Sequence, residues 1–263
     1  MKLVSRGKFH KNFKFTYKLQ KVLRFFSPIF LFIIWESLSK LSYLDRRFFP
    51  PPTELVQYLI DMIVDGTLIE AIKISLSRLL IGYVSGAFFG IIIGLLLGLS
   101  SWMRAIFEPW LLMTYPIPKL ALFPLLVLIV GLGEAPIIIL LAIAVFYVVS
   151  INLIAGVLSI RKVFLDVGKD CKANFRQIIF TIAIPSSLPH IITGLELSLG
   201  IAYIVLIAAE FVGAKSGLGS IIWSSWQLFD VSPMYVAIVT ISILGYSSLL
   251  ILRNIGNRLM PWK

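Results

Sequence analysis

The feature that most constrains this chain is a series of apolar runs, each about 20 residues long, separated by short segments that carry most of the charge. A helix of that length matches the bilayer's hydrocarbon thickness of roughly 30 Å, and it satisfies its own backbone hydrogen bonds there. Only 14% of the 263 residues are charged, whereas a soluble domain has roughly a quarter. The sequence therefore predicts an all-α polytopic membrane protein.

Six segments are predicted to cross the membrane, at residues 25–44, 71–99, 110–130, 136–158, 194–212 and 234–252. The segment between the first two spans opens with three prolines at 50–52. Beyond Thr53, a candidate N-cap, its apolar residues recur at helical spacing, so we expect a short amphipathic helix on the membrane surface. A polar loop at 159–193 precedes the fifth span.

The distribution of basic residues orients these spans. Of the 24 Lys and Arg residues, 17 fall in segments 1–24, 100–109, 159–193 and 253–263, which six crossings place on one side. By the positive-inside rule that side is cytoplasmic, so both termini are predicted to be cytoplasmic. The predicted organisation is a basic tail (1–24), a first transmembrane helix with an outer amphipathic segment (25–70), a five-helix core (71–252) and a cytoplasmic C-terminal tail (253–263).

Glycines in the second span recur at steps of four residues, which predicts a stripe that a neighbouring helix approaches closely. The stripe fits either the seam of a pore-forming bundle or ordinary helix packing. Its members are Gly82, Gly86, Gly90, Gly94 and Gly98.

Several charged residues fall within or near the spans, where they are candidates for a transport pathway. Lys119 lies in a proline-broken third span, and interrupted helices often line a substrate pathway. For Lys119 the simpler interpretation is that it snorkels to the cytoplasmic interface. Arg78 carries the same two interpretations near the outer interface. Glu210, at the outer end of the fifth span, either faces the pathway or pairs locally, and Glu196 is the fourth candidate.

The loop between the fourth and fifth spans contains an amphipathic pattern. Apolar residues at Phe175, Ile178, Ile179 and Ile182 recur on one helical face, beside a basic stripe. Such a helix on the cytoplasmic surface must bury its apolar face against lipid headgroups, against the chain's own spans or against a partner.

This loop resembles the cytoplasmic coupling motif of ATP-binding cassette (ABC) importer permeases: Glu-Ala-Ala, three residues, Gly, nine residues, Ile-x-Leu-Pro. Ile182 and Pro185 keep the residue type of the motif. The seven defined positions are occupied by Asp166, Val167, Gly168, Lys172, Ile182, Ile184 and Pro185. Blocks at 75–82, 116–124, 188–195, 206–210 and 216–219 resemble permeases of the nitrate, sulfonate and taurine type. Glu196 departs from this family, which usually carries Arg there.

The resemblance implies a MetI-like permease fold of the type I ABC importers, in the bacterial inner membrane. It implies a translocation pathway for a small solute, such as sulfonate, taurine, nitrate or bicarbonate, formed with a second permease copy. A separate ATPase, docked on loop 166–185, would hydrolyse ATP, so this chain would bind no cofactor and would not itself be an enzyme. A periplasmic or lipid-anchored binding protein would deliver the solute.

Other function classes are not supported by the sequence. It lacks a phosphate-binding Gly-rich loop that ends in Gly-Lys-Ser/Thr, a Gly-x-Ser-x-Gly elbow and a histidine cluster of metal-ligand spacing. Catalytic residues and a metal site are therefore not expected. Nucleic-acid binding is not expected either, because membrane orientation explains the basic tail. A self-contained secondary transporter or channel is the alternative, although the inverted repeats typical of that class are not evident.

Overall fold

The computed structural model describes Phe26 and residues 29–261. The predicted tail 1–24 and the start of the first predicted span lie outside the described residues. Within the described ranges every regular element is helical. The helices are α1 (29–40), α2 (Pro52–Val64), α3 (Thr67–Leu99), α4 (Ser101–Thr114), α5 (Phe123–Val130), α6 (Glu134–Leu158), α7 (Lys162–Asp170), α8 (Phe175–Gln177), α9 (Ile184–Gly213), α10 (Leu218–Leu228) and α11 (Val231–Leu259).

Among the described residues, four helical stretches are long and apolar enough to cross a membrane: α3, α6, the continuous stretch Phe175–Gly213 and α11. α4 and the segment Lys119–Val130 together form a fifth candidate, which is bent by 92°. α1 has only 12 described residues, so the described part of the chain provides four or five of the six predicted spans.

The core is built around α6, which packs along α3 on one side and α9 on the other. α6 is apolar on every face, as expected of a helix surrounded by other helices in a membrane protein. Leu140, Leu141, Val145, Val149 and Leu153 of α6 are completely buried. The outer layer is formed by α2, α10 and α11: α11 contacts both α2 and α10, and each of the three contacts α3 or α9.

The third predicted span is bent by 92° between α4 and the segment Lys119–Val130. We call this bend, at residues 115–118, the elbow. α4 begins at Ser101, earlier than the predicted Trp110, because the polar residues before Trp110 are accommodated within the helix. Arg104, for example, donates to the carbonyls of Leu97 (3.3 Å) and Gly98 (3.1 Å) at the end of α3. The chain then turns through residues 115–118, which include two prolines, and a short 3-10 turn at Lys119–Leu122 leads into α5.

Residues 159–193, predicted as a polar loop that contains an amphipathic helix, are largely helical, and their second half is continuous with the fifth predicted span. From Phe175 the chain is helical without a break to Gly213, passing through α8, a π-helical segment at Ile178–Ala183 and α9. Pro185 lies inside this continuous stretch, directly after the π-helical segment, and does not interrupt it. The Ser187 hydroxyl donates to the carbonyl of Ala183 (2.5 Å) in the same turn.

The boundaries of the outer segment and of the C-terminal tail also differ from the predictions. Pro51, not Thr53, is the N-cap of α2, and Thr53 instead donates through its hydroxyl and its amide to Glu36 of α1 (2.8 and 3.1 Å). α2 packs against α3 and α11, with Leu55 buried. α11 continues to Leu259, so most of the predicted tail 253–263 is helical.

Candidate functional site

The predicted coupling loop forms a helical hairpin between α6 and α9. α7 packs against the π-helical segment, and the contact is close because Gly168 has no side chain: a Cβ there would lie 2.8 Å from Cδ1 of Ile182. α7 and the π-helical segment border an open cavity of about 550 Å³, which is lined among others by Val167, Gly168 and Ile182. Gly168 and Ile182, two of the predicted coupling residues, therefore hold this hairpin together.

The turn of this hairpin places Lys172 in the left-handed region, with φ of 55°. This conformation costs a residue with a Cβ roughly 1 kcal/mol, and glycine adopts it freely. Lys172 occupies the position that is Gly in the coupling motif. The left-handed backbone at this position explains why the motif has a glycine there. After the turn, the Asn174 side chain caps α8 in a reciprocal box with Gln177 (2.9 and 2.8 Å).

Several apolar side chains of the hairpin are exposed. Val167 is 54% exposed and Phe175 55%, and Phe164 on α7 is 49% exposed. Ile178, Ile179 and Ile182 are only half-buried, and they face α7 and the core rather than solvent. The amphipathic pattern therefore covers two surfaces, one packed against the chain itself and one open.

A buried ion network lies at the other end of the bundle. Arg78 of α3, only 2% exposed, donates to Glu210 of α9 (2.7 Å), to the carbonyl of Ser216 (2.7 Å) and to both carboxylate oxygens of Glu134, at the start of α6. The Glu210 side chain is completely buried, whereas that of Glu134 is 58% exposed. The network links three core helices and the loop before α10.

Two glycines let that loop close over Glu210. Gly217 has φ of 116°, and a Cβ there would collide with the Glu210 carboxylate and lie 2.8 Å from the Arg78 guanidinium. At Gly219 a Cβ would lie 2.6 Å from Cβ of Glu210, while the amide of Gly219 donates to that carboxylate (2.7 Å). Ser75 donates to Glu210 (2.8 Å) and accepts from the amide of Leu218 (2.8 Å).

This geometry gives the Ser-Gly-Leu-Gly block at 216–219 a structural basis. Sequence reasoning did not connect Glu134 or Ser75 with Arg78. The only available signal for Glu134 was its place in the first turn of an apolar span, just beyond Gly131 and Gly133.

The glycine stripe of α3 faces α6 of the same chain. A Cβ at Gly82 would lie 2.6 Å from Cβ of Leu141, and one at Gly98 would lie 2.6 Å from Cβ of Val157. Gly86, Gly90 and Gly94 meet Val145, Val149 and Leu153 in the same way. α6 therefore fills the whole stripe, which leaves no open channel along it.

The two remaining candidates occupy different environments. Glu196 of α9 pairs with Arg253 of α11 (3.2 Å), which identifies a charge partner for the carboxylate that replaces the family's usual Arg. Lys119 lies at the elbow, where it donates to the carbonyls of Thr114 (3.1 Å) and Tyr115 (2.9 Å). Its ammonium group is 4.0 Å from the centre of the Tyr147 ring.

Residues 86–261 match the protein family described as binding-protein-dependent transport system inner membrane component. The chain belongs to this family. The matched region begins in the second half of α3 and covers every later element, including the hairpin and the elbow.

Relatives that cover nearly the whole chain support the same assignment. The taurine transport system permease of Escherichia coli strain K12 is 31% identical over 88% of this chain and 86% of the relative. A permease of Bacillus subtilis strain 168 that is named for the transport of aliphatic sulfonates is 29% identical (90% and 86%). The nitrate import permease of Synechococcus elongatus is 29% identical (89% and 88%).

The fold is also that of a solved transporter. The chain resembles a subunit of the inward-facing MetNI methionine ABC transporter with a TM-score of 0.62 and 20% identity, over 74% of this chain and 97% of that one. The predicted MetI-like fold is therefore confirmed, while the number of spans and the side on which the termini lie are not fixed by the comparison.

This member of the family is the permease subunit of an ABC importer and is located in the inner membrane. The family implies a partner ATPase, which uses ATP, and a substrate-binding protein. A self-contained secondary transporter or channel is not favoured by these matches.

Proposed function

We propose that this permease imports a small organic or inorganic anion, such as a sulfonate, taurine, nitrate or bicarbonate. Relatives named for taurine, aliphatic sulfonates and nitrate support this class of solute. The chain crosses the membrane six times with both termini in the cytoplasm and pairs with a second copy of itself, surrounded by lipid. A periplasmic or lipid-anchored binding protein delivers the anion to the outer surface.

The ATPase docks on the hairpin 166–185. Through this hairpin, ATP hydrolysis moves the helices that form the translocation pathway. The exposed apolar side chains of this hairpin support the assignment, because apolar anchors that lie open on a single chain are typical of an interface. Their rigid connection to the core supports it further: α8 continues into α9 without a break, so a force on the hairpin is transmitted to a membrane-spanning helix. This is the observation on which the proposed coupling role depends.

Replacing both Phe164 and Phe175 by Ala is expected to weaken binding of the ATPase at least roughly 30-fold, since buried aromatic anchors typically contribute 2 kcal/mol or more to an interface. Both side chains are about half exposed in the single chain, so their loss leaves the core intact. The measurement is co-purification of the importer's ATPase subunit with the tagged, membrane-inserted permease.

The matched control is Phe48→Ala, which removes a 57% exposed Phe from the segment that is proposed to face outward. ATPase recovery should be unchanged in this variant. Ile182→Ala is not suitable for this test, because Ile182 packs against Gly168 and its loss would disturb the hairpin itself. Wild-type recovery of the ATPase with the double Phe variant would refute the docking assignment.

The proposed orientation can be tested with Cys171, the one cysteine of the sequence, which is exposed on the hairpin. A membrane-impermeant maleimide is expected to label it in inside-out vesicles and not in intact spheroplasts. Cys171→Ser, which should give no labelling in either preparation, is the control. Labelling in spheroplasts would invert the proposed topology.

A further inference from the structure

Lys119 lies beside the middle of α6, one of the helices that are long and apolar enough to cross a membrane. Its ammonium group sits over the ring of Tyr147, a residue near the centre of the 25-residue helix α6. At 1.5 Å per residue this is about 20 Å from one end of α6 and about 17 Å from the other. α4 gives a similar depth, because Thr114, which accepts a hydrogen bond from Lys119, lies about 20 Å from Ser101.

Among the described residues, no carboxylate neutralises the ammonium group. Its hydrogen-bond acceptors are the carbonyls of Thr114 and Tyr115, and it lies over the face of the Tyr147 ring. A lysine has three N–H donors, and two of them bond these carbonyls, so the third is not hydrogen-bonded to any other described residue. Across residues 29–261 no Asp or Glu lies within ion-pair distance of it. A charge in the middle of a bilayer is costly and typically faces water, a bundle interior or a transported ion.

The elbow backbone also indicates that Lys119 does not face lipid. Residues 115–118 lie outside any helix and are exposed in the single chain. Irregular backbone at membrane depth is tolerated only where protein covers it or where it borders a water-filled cavity. Lys119, which is half-buried, directly follows this segment.

A cavity of about 350 Å³ adjoins the same cluster. It is lined by Thr114 and Tyr147 at one end and extends along α4 to Met103. The Tyr147 hydroxyl donates to Oγ1 of Thr114 (2.7 Å), which fixes the ring beneath the ammonium group. Its other lining residues are apolar and Lys119 is not among them, so the cavity borders Thr114 and Tyr147 rather than the ammonium group itself.

We propose that Lys119 contacts the anionic group of the solute midway across the membrane, held in place by Tyr147 and the end of α4. The proposal rests on the anion-import function above and names the side chain that recognises the charge. An ammonium group with no carboxylate partner favours a sulfonate, carboxylate, nitrate or bicarbonate over a neutral solute of the same size. The solute in turn supplies the missing counter-charge during its passage.

A purely structural role for Lys119 makes a different prediction. The ammonium group bonds the last carbonyls of α4, as basic residues often do at helix C-termini. A glutamine could donate to the same carbonyls without any charge, and an arginine would keep the charge. Comparing Lys119→Gln with Lys119→Arg therefore separates capping from anion recognition.

The test uses proteoliposomes that contain the permease with its ATPase and saturating binding protein, with labelled taurine, methanesulfonate and nitrate as probes. We expect Lys119→Gln to lower ATP-dependent uptake at least roughly tenfold and Lys119→Arg to retain most of it, with equal ATPase recovery in both. Wild-type uptake by the Gln variant would overturn the role of Lys119. If the wild-type importer took up none of the three anions, the proposed function itself would fail.

A second readout tests exposure to water without any solute. In a Cys171→Ser background, Lys119→Cys should react with a charged methanethiosulfonate reagent, and alkylation with bromoethylamine, which rebuilds a lysine-like side chain, should restore uptake. Phe88→Cys is the matched control: Phe88 lies between the glycines that face Val145 and Val149, is 58% exposed and should remain unreactive against lipid. An unreactive Lys119→Cys would show that no water reaches this point and would overturn the proposal.

Discussion

Replacing Arg78 by Met is expected to lower the free energy of unfolding by about 3–5 kcal/mol, the range typical of a buried ion pair that loses one partner. The reason is the environment of Glu210, which is completely buried and keeps only the Ser75 hydroxyl and the Gly219 amide as donors. These donors do not balance a buried negative charge. The measurement is titration of the detergent-solubilised permease with SDS, followed by tryptophan fluorescence.

Two comparisons make this prediction specific to burial. Glu134→Gln removes the other carboxylate that contacts Arg78, but its side chain is 58% exposed, so the loss should be about 1 kcal/mol or less. The double variant Arg78→Met with Glu210→Met should recover much of the lost stability, because no unpaired charge remains. If Arg78→Met and Glu134→Gln were equally mild, burial would not be the source of the effect.

The same network gives a structural role to Arg78 and Glu210, two of the candidate pathway residues. Three nitrogen atoms of the Arg78 guanidinium bond to protein oxygens, and the loop containing Gly217 closes over Glu210. Neither side chain is available to a passing solute in this conformation. We infer that they fasten the outer end of α9 and the base of α10 to α3, and that Lys119 carries the charge recognition.

The apolar runs were sufficient to predict a helical membrane protein, and the resemblance of the coupling motif and its neighbouring blocks to known permeases predicted the MetI-like fold. Sequence reasoning failed where the chain bends. The predicted start of the third span at residue 110 favours a position for Lys119 near the cytoplasmic interface. α4 instead starts at Ser101, where Arg104 donates to the carbonyls at the end of α3. The 92° bend then brings Lys119 over α6, a contact that no periodicity contains.

The hairpin shows the same limit in another form. Helical spacing grouped Phe175, Ile178 and Ile182 on one face, but it could not separate residues that pack internally from those that stay open. That separation depends on α7, which folds back so that Gly168 meets Ile182. Likewise the four-residue period of the glycines predicted a close helix contact without naming α6 as the partner, because spacing defines a face and not its neighbour.

Replacing Gly86 by Leu is expected to destabilise the permease by about 3 kcal/mol or more, which is at the upper end for overpacking. A Cβ at this position would collide with the carbonyl oxygen of Ala142 and lie 2.9 Å from both Cα of Ala142 and Cβ of Val145. Two of these atoms belong to the backbone, so no rotamer change relieves the clash, and α3 must separate from α6 along the seam. Gly200→Leu is the matched control, since a Cβ there meets no atom within 4 Å and a better helix former replaces glycine. SDS titration should show loss of stability for Gly86→Leu alone; equal loss in both would mean that close packing of α3 on α6 is not what the stripe provides.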